Sequence, residues 1–468
     1  MFQIFNRYVS YKAVLLVALE GLLILLAILF GIKLRFWNDP VAFRIYTELP
    51  DFAVQAFTVV LCLQICFYYN ELYATNEVWH PSEHLIRLGQ AMGAACLLLG
   101  FLYFLFPRLV IGRGVFLIAL GLAAASVTGA RLFVNFAWRN TIPPENVLIF
   151  GTGKLASDVA REIRGRDDLN IRVMGFIETD KESSAAPNEL FGWPVLGKVD
   201  RLEQIVESQP VGRIIVALHD LRGALPVREL LRLRTRGIRV EEAYSTLSAL
   251  TGRIALENVR PSWLIFSGGF RRTPFTIFLK RVLDLSSSIV GGVISVPLVA
   301  LSAVAIRLDD GGPVFYRQRR VGLNGSPFVL TKLRTMRVDA EADGAQWADH
   351  NDPRVTRVGR FLRRYRIDEL PQFLNVIRGE MSFVGPRPER PEFVETLRKK
   401  IPYYDERQTV RPGITGWAQV NYPYGATVED AFRKLEYDLF YLKHMSAVFD
   451  FAIVFETVRI VLFGRGAR

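Results

Sequence analysis

The stretch RRYRIDELPQFLNVIRGEMSFVGPRPERP, residues 363–391, combines acidic and basic side chains in an order that suggests phosphate chemistry. Asp368 and Glu369 follow a cluster of arginines, and two prolines stiffen the backbone around Arg387. Guanidinium groups bind phosphate oxygens through planar pairs of hydrogen bonds, and a carboxylate among them can serve as nucleophile, base or metal ligand. A solvated ion-pair helix followed by a proline-rich turn is the simpler interpretation, and the flanking motifs weigh against it.

Further cations flank this stretch. The segment VLTKLRTM, residues 329–336, alternates like a β-strand and places Lys332 and Arg334 on one face. The segment RPGITGWAQVN begins at Arg411. The basic run at residues 317–320 fits either simple anchoring at a bilayer or contact with lipid phosphates. The charge pattern therefore favours a substrate that carries several phosphates.

Composition points to a membrane protein. Half of the 468 residues are hydrophobic and the net charge is +12, while the mean hydropathy is +0.21. Four apolar stretches lie at roughly residues 13–32, 50–69, 88–106 and 115–137, and each approaches the ~20 residues that cross a bilayer core. We therefore predict a bundle of four transmembrane helices over residues 1–140.

Other classes of protein fit the composition less well. No nucleic-acid-binding motif accompanies the positive charge, and no cleavable signal peptide is evident. The three cysteines, Cys62, Cys66 and Cys96, all lie in apolar runs without a histidine cluster. We interpret them as small buried hydrophobic residues, neither disulfide partners nor metal ligands. Glu20 is an acid within the first apolar stretch and receives no role.

Residues 145–260 predict a Rossmann-like α/β domain, because apolar strand patterns alternate there with helical ones. ENVLIFGTGKLASDVAREI reads as strand, glycine turn and helix, and Gly151 and Gly153 would let a phosphate approach the helix N-terminus. Glu178 is the candidate for the acid that contacts the ribose in NAD sites. Nucleotide binding and a Rossmann-like fold without a ligand are equally consistent with this pattern. A linker over residues 261–277 follows.

A second kind of membrane segment begins the C-terminal domain, residues 278–468. Residues 285–306 are long and apolar enough to span, but Pro297 lies in their middle and removes a helix hydrogen bond. Either a straight span or a kinked, re-entrant helix fits. We favour a re-entrant helix over residues 281–308, because it keeps the following domain on the side of a cytoplasmic substrate. The final apolar segment, residues 448–463, suggests an interfacial helix, with a buried helix as the alternative.

KLRTM, RIDELPQFLNVIRGEMSFVGPRPE and RPGITGWAQVN, in this order after a proline-kinked apolar segment, resemble the bacterial sugar transferase family. Its members are polyprenyl-phosphate hexose-1-phosphate transferases, also called monotopic phosphoglycosyl transferases. The upstream architecture resembles the large members that initiate exopolysaccharide or capsule synthesis. The resemblance implies transfer of hexose-1-phosphate from a UDP-sugar to undecaprenyl phosphate with release of UMP. It also implies a location in the bacterial inner membrane, with an α-rich α/β catalytic domain facing the cytoplasm, and a homodimer.

The resemblance also assigns roles to particular residues. Asp368 falls at the family's nucleophile, which forms a covalent phosphosugar intermediate, and Glu369 would orient the site or handle a proton. Mg²⁺ would neutralise the diphosphate, with Glu406 and Asp368 as candidate ligands. Cations that would hold or support the phosphates are Lys332, Arg334, Arg363, Arg387 and Arg411. One departure is Val296 before Pro297, where the family often has serine.

Two other functions compete with this one. Membrane nucleotide-sugar dehydratases also place a Rossmann domain after four transmembrane helices, but they need a Tyr-x-x-x-Lys pair, and here Tyr244 is followed by Ser248. A non-catalytic assembly scaffold would not need Asp368, Glu369 and Arg387, which are all present.

Overall fold

The computed structural model describes residues 2–4, 7–73, 81–141, 143–179, 189–218, 225–257, 261–270, 272–340, 352–423, 425 and 427–463. The chain divides into two compact units, Met1–Thr246 and Leu247–Arg468. The sequence places the end of the middle domain at residue 260, whereas the contacts assign residues 247–257 to the second unit.

The first unit begins with a helical bundle. Its described elements are β1 (Phe2–Ile4), β2 (Arg7–Val9), α1 (Tyr11–Arg35), α2 (Pro40–Glu48), α3 (Phe52–Tyr69), α4 (Pro81–Leu105) and α5 (Arg113–Thr141). The long helices α1, α3, α4 and α5 coincide with the four apolar stretches, and all are long and apolar enough to cross a membrane. Their outer faces expose large apolar side chains, such as Leu97 at 79% and Phe104 at 82%. Such exposure is costly in water and is typical of a lipid-facing surface.

Glu20 on α1 has a partner that the sequence did not indicate. Arg131 on α5 donates from Nε and Nη2 to its carboxylate, at 2.5 and 2.9 Å, and from Nη1 to the carbonyl oxygen of Leu72. Glu20 is 0% exposed and Arg131 is 6% exposed. The ion pair joins the first and last helices of the bundle, which are also the two helices with the most extensive mutual packing.

The predicted α/β domain is confirmed as the second part of this unit. Its elements are β3 (Glu145–Phe150), α6 (Lys154–Arg164), β4 (Ile171–Glu178), β5 (Glu189–Leu190), β6 (Trp193–Lys198), α7 (Leu202–Ser208), β7 (Arg213–Val216), α8 (Val227–Thr235), β8 (Arg239–Glu242) and α9 (Ala243–Thr251), which crosses the division between the units. The sheet order is β5-β6-β4-β3-β7-β8, parallel except for β5. The order reverses at β3, as it does in Rossmann-like sheets.

The residues just before α1 pack on this α/β domain. The Tyr8 hydroxyl donates to Glu241 at 2.7 Å and accepts from Arg213 at 3.2 Å. Ser10 donates to the carbonyl oxygen of Asp168 at 2.9 Å. Tyr8 is 4% exposed, and Arg213 also binds Glu145. The start of α1 is therefore fixed to the same domain that follows the end of α5.

The second unit contains the remaining elements. They are α10 (Pro261–Phe266), α11 (Pro274–Asp310), β9 (Phe315–Val321), β10 (Pro327–Leu333), α12 (Arg357–Arg364), α13 (Phe373–Arg378), β11 (Ser382–Val384), α14 (Pro391–Lys400), β12 (Gly413–Thr415), α15 (Trp417–Asn421), α16 (Val428–His444) and α17 (Ala447–Phe463). Antiparallel β9–β10 and parallel β11–β12 form two small sheets. This unit is rich in helices, as the sequence predicts.

The helix α11 is 37 residues long, runs through Pro297 and touches the same unit near both of its ends. Near its start, Lys280 pairs with Asp450 of α17 at 2.7 Å. Near its end, Ile306 packs with Leu333 and Leu362. The apolar residues between these contacts are largely exposed, Ile294 at 72% and Leu301 at 69%.

The helix α17 packs one face inward and leaves the other exposed. Phe449 and Ile453 are buried, whereas Val448 and Phe451 are 66% and 67% exposed. The inner face fits the predicted buried helix, and the interfacial interpretation of the segment stays a prediction.

Candidate active site

Asp368 and Glu369 lie side by side on a 3-10 helix, residues 367–372. Arg366 precedes it in the left-handed region, with φ of 54°, and so separates α12 from this turn. The turn packs against β10 and α11, and both carboxylates are buried, at 7% and 9% exposure. Burial of two adjacent acids is unfavourable unless cations compensate their charge.

Glu369 has such a cation. Arg387 donates from Nη2 to its Oε1 at 2.6 Å, and Arg366 lies 4.0 Å from its other oxygen. Burial raises the pKa of Glu369, but Arg387 and Arg366 outweigh burial and hold this pKa below the ordinary value of a glutamate. Glu369 is therefore ionised at neutral pH and holds the guanidinium of Arg387 in place.

Asp368 is different, since none of the described residues gives its carboxylate a hydrogen bond or a close ion pair. Burial and the neighbouring charge of Glu369 raise the pKa of Asp368 above the ordinary value of an aspartate. The positive charges of Lys332, Arg363 and Arg387 act in the opposite direction. A buried carboxylate among cations but not bonded to them can attack an electrophile without first breaking a hydrogen bond.

Lys332 faces this pair from β10. Burial, and to a smaller extent the charge of Arg320, outweigh the opposing charges of Asp368 and Glu369 and lower the pKa of Lys332 to about 8. Its ammonium nitrogen lies 5.9 Å from the ring centre of Tyr316 on the paired strand β9. Lys332 is thus a cation at neutral pH that loses its charge in mildly alkaline solution.

Arg363 approaches the pair from α12. Its Nε donates to the Thr335 hydroxyl at 2.9 Å, which holds the side chain toward the site. The structure thus brings together five predicted site residues: Asp368, Glu369, Lys332, Arg363 and Arg387. The positive charges of Lys332, Arg363 and Arg387 suit the negatively charged oxygens of a diphosphate.

The loop that carries Arg387 is held by two further arginines. Arg407 donates to the carbonyl oxygen of Arg387 at 2.9 Å, and Arg320 donates to that of Pro388 at 3.0 Å. Arg407 is itself buried and paired with Asp438 at 2.9 Å. This role of Arg407 was not predicted from the sequence, where the adjacent Glu406 was taken as the functional residue.

Of the other predicted site residues, two have partners elsewhere and a third is exposed. Arg334 pairs with Asp310 at the end of α11. The Nε of Arg411 donates to the carbonyl oxygen of Gly379 at 2.9 Å. Glu406 is exposed on the 3-10 helix 404–409. Their assignment to phosphate or metal remains a prediction.

The described residues contain no group of three or more acids, histidines or cysteines that could hold a metal ion. Mg²⁺ needs fewer protein ligands when the substrate supplies phosphate oxygens, since one or two carboxylates then suffice. Asp368 has the unbonded carboxylate that this arrangement requires, whereas Glu369 is committed to Arg387.

The glycine turn of the middle domain is built as predicted. Gly151 has φ of +117°, and a Cβ there would lie 2.7 Å from the Ala217 carbonyl oxygen. Gly153 caps the N-terminus of α6, and Glu178 is buried at the end of the adjacent strand β4. Nucleotide binding at this turn remains a prediction.

Comparisons with known proteins match both units. The model for bacterial sugar transferases matches residues 275–464, and that for a CoA-binding domain matches residues 69–231. The chain is 42% identical over 241 residues to a UDP-N-acetylgalactosamine-undecaprenyl-phosphate N-acetylgalactosaminephosphotransferase of Aeromonas hydrophila, which covers 52% of this chain and 56% of the relative.

Two further relatives cover more of the chain. An undecaprenyl-phosphate glucose phosphotransferase of Komagataeibacter xylinus is 34% identical over 69% of this chain and 60% of its own length. A UDP-glucose:undecaprenyl-phosphate glucose-1-phosphate transferase of Xanthomonas campestris pv. campestris is 29% identical over 90% of this chain and 89% of its own. The chain thus spans little more than half of the first two relatives and nearly all of the third. The chain has the buried acid pair and the surrounding cations, and it matches the family model and these relatives. It therefore belongs to the bacterial sugar transferase family.

Proposed function

We propose that the chain transfers a hexose-1-phosphate from a UDP-sugar to undecaprenyl phosphate, as the first membrane step of exopolysaccharide synthesis. The names of the relatives support this reaction class, with glucose or N-acetylgalactosamine as the transferred sugar. The observation that carries the proposal is the buried Asp368 carboxylate, which faces three cations without being bonded to them.

In the first step, a carboxylate oxygen of Asp368 attacks the β-phosphorus of the UDP-sugar. A bond forms between this oxygen and phosphorus, and the bond from phosphorus to the bridging oxygen breaks. The electron pair of that bond leaves with UMP. The enzyme then carries an aspartyl-phosphosugar, which splits one phosphoryl transfer into two easier steps.

In the second step, a phosphate oxygen of undecaprenyl phosphate attacks the same phosphorus. The bond to Asp368 breaks and the carboxylate leaves with its electron pair, so that the enzyme is regenerated. One pocket can therefore serve a soluble donor and a lipid acceptor in turn.

The surrounding residues bind and orient rather than react. Glu369 holds Arg387 by the 2.6 Å ion pair, and Arg387, Lys332 and Arg363 are placed to bind phosphate oxygens as charge moves between them. Mg²⁺, held by Asp368 and the diphosphate, would neutralise part of the substrate charge when bound.

The same proposal includes a membrane arrangement. We place α1, α3, α4 and α5 across the bacterial inner membrane, with the middle domain and Asp368 in the cytoplasm, where UDP-sugars are made. The docking of Tyr8 supports an even number of crossings, because the residues before α1 and those after α5 meet the same domain. The contacts near both ends of α11 with one unit support a re-entrant helix kinked at Pro297. A homodimer stays a prediction.

The deciding experiment measures UMP release and the mass of the intact protein. The purified chain is incubated with Mg²⁺ and a panel of UDP-hexoses, first without and then with undecaprenyl phosphate. Without acceptor, we expect one UMP per active site and a mass increase of one hexose-phosphate. Acceptor should remove the adduct and permit turnover.

The matched variant is Asp368→Asn, which keeps the size of the side chain and removes its nucleophilic charge. We expect neither the adduct nor UMP release from it. An adduct that persists in this variant would assign the nucleophile elsewhere, and UMP release that always requires the acceptor would indicate direct transfer in one step.

A further inference from the structure

The helix α12 exposes a stripe of arginines that the transfer reaction does not use. Arg357, Arg360 and Arg364, here called the arginine stripe, are all exposed, with Phe361 among them at 57% exposure. Positions separated by three, four and seven residues fall within an arc of roughly 100° on a helix. The stripe is therefore one continuous face.

The opposite face of α12 is fixed to the protein. A Cβ at Gly359 would lie 2.0 Å from the carbonyl oxygen of Thr335, and Leu362 is buried against Ile306. The backbone nitrogen of Val358 donates to the Asp309 carboxylate at 3.2 Å. This packing fixes the rotation of α12, so the stripe must face outward.

The stripe has no internal counter-charge among the described residues, where no carboxylate lies within ion-pair distance of its three arginines. Phe361 packs on Tyr365 with ring centres 5.0 Å apart, and the guanidinium of Arg364 lies 5.9 Å from the Tyr365 ring centre. Unpaired cations around an exposed aromatic ring are typical of a surface that meets anionic headgroups, because the ring can enter the interface.

The stripe also lies beside the apolar surface of a membrane-associated helix. Ile306 and Asp309, which contact α12, belong to the last turns of α11. On the same stretch of α11, Leu301, Val304 and Leu308 are 69%, 60% and 82% exposed. Cations next to a lipid-facing apolar surface are at the depth of the phosphates.

We propose that the arginine stripe binds the phosphates of anionic phospholipids and so fixes the second unit on the membrane surface. The charge complementarity and the continuity with α11 select lipid headgroups as the partner. This contact does not depend on the transfer chemistry, because Arg363, the arginine of α12 that faces Asp368, lies outside the stripe.

The test places a fluorescent label at the stripe. Phe361→Cys is labelled in a full chain carrying Cys62→Ala, Cys66→Ala and Cys96→Ala, and is reconstituted in nanodiscs that contain quencher-bearing lipids. In phosphatidylcholine alone we expect weak quenching, and in phosphatidylcholine with phosphatidylglycerol strong quenching that added salt reverses. This comparison leaves the three arginines of the stripe unchanged.

The arginines are then replaced together as Arg357→Gln, Arg360→Gln and Arg364→Gln. Each basic residue near an anionic leaflet strengthens binding by about five-fold, so we expect the ratio of docked to free states to fall on the order of 100-fold. The matched control replaces three exposed cations of α14: Arg398→Gln, Lys399→Gln and Lys400→Gln. Unfolding temperatures verify that both variants fold.

Three outcomes would overturn the inference. The label could be quenched equally with and without phosphatidylglycerol, which would leave only an apolar contact. It could stay unquenched in both lipids, which would place α12 in water. The α14 control could lose as much quenching as the stripe variant, which would indicate a general effect of net charge.

Discussion

Asp368 and Glu369 are adjacent in sequence, yet their surroundings move their pKa values in opposite directions. Only Glu369 has an arginine bonded to it, and its retained negative charge helps to raise the pKa of Asp368. Asp368, the proposed nucleophile, is therefore protonated at a higher pH than an ordinary aspartate. We expect kcat/KM to fall with decreasing pH on an acid limb above the usual range of aspartate.

Replacement of Glu369 tests this coupling. Glu369→Gln removes the negative charge beside Asp368. It also removes the ion pair that neutralises Arg387, so that the positive charge of Arg387 acts on Asp368 alone. Both changes lower the pKa of Asp368. We expect the acid limb of kcat/KM to move to lower pH by on the order of one unit. Glu395→Gln, an exposed acid on α14, is the control and should leave the limb in place. A limb that Glu369→Gln does not move would assign it to another group.

Lys332 should set the alkaline limit. Its pKa is lowered to about 8, chiefly by burial, so the cation that we propose binds the substrate phosphates is lost as the pH rises through this value. Lys332→Arg keeps the charge at all accessible pH values. We expect the alkaline limb of kcat/KM to disappear in this variant, even if the rate at neutral pH falls. Persistence of the limb near pH 8 would exclude Lys332 as its origin.

The sequence singled out the residues that lie near Asp368 because they belong to short motifs with matching chemistry, and their roles stay predictions. It could not show the partners of Arg334 and Arg411, since Asp310 and Gly379 lie 24 and 32 residues away in sequence and no local pattern links them. The buried partner of Arg407 is equally distant in sequence, because Asp438 lies 31 residues later.

Among the elements, the pairing of β11 with β12 supports the loop that carries Arg387. Gly385 donates to the carbonyl oxygen of Thr415 at 2.8 Å, and Gly413 donates to that of Pro386 at 2.9 Å. A Cβ at Gly413 would lie 2.1 Å from the backbone nitrogen of Gly385, which cannot move without displacing the loop.

Gly413→Ala should therefore damage both stability and activity. We expect a loss of about 1–3 kcal/mol in the free energy of unfolding, and a fall in activity caused by displacement of Arg387. Thermal unfolding and UMP release measure the two effects. Gly268→Ala is the control, because a Cβ there meets nothing within 4 Å. Equal behaviour of the two variants would show that the loop tolerates the added methyl group.

At the scale of the whole molecule, the ion pair of Glu20 and Arg131 joins the first and last long helices of the bundle. Arg131→Leu leaves a buried carboxylate without a partner and should destabilise the chain by roughly 3–5 kcal/mol. The double variant with Glu20→Leu removes both charges and should recover most of this loss. Unfolding in detergent measures both. A double variant as unstable as the single one would mean that the pair provides more than charge compensation.

Membrane sidedness is the second prediction at this scale. Single cysteines at Trp37, Ser208 and Lys399 are introduced into a chain without native cysteines and labelled from one side of the membrane. If α1, α3, α4 and α5 cross and α11 re-enters, Ser208→Cys and Lys399→Cys should react from one side and Trp37→Cys from the other. Reaction of Lys399→Cys on the side of Trp37→Cys would mean that α11 crosses the bilayer.

The broad architecture followed from the sequence because hydrophobic period and length are local properties. The stretch predicted at residues 115–137 is helix Arg113–Thr141, and the strand predicted at the start of ENVLIFGTGKLASDVAREI is β3, Glu145–Phe150. The assignment of residues 247–257 to the second unit was not accessible, since it depends on distant contacts. Leu256 donates to Glu436 at 2.9 Å, and the Trp417 indole donates to the Gly252 carbonyl oxygen at 2.7 Å.

The docking of Tyr8 also limits how the middle domain can move. This domain is attached to the helical bundle at two points, by the residues that lead into α1 and by the segment that follows α5. A rigid body tied at one point can swivel in any direction, whereas one tied at two points turns only about the line that joins them. The hydrogen bonds of Tyr8 and Ser10 together thus restrict this motion to rotation about one line, and loss of both contacts would add directions of motion without removing any element of the fold.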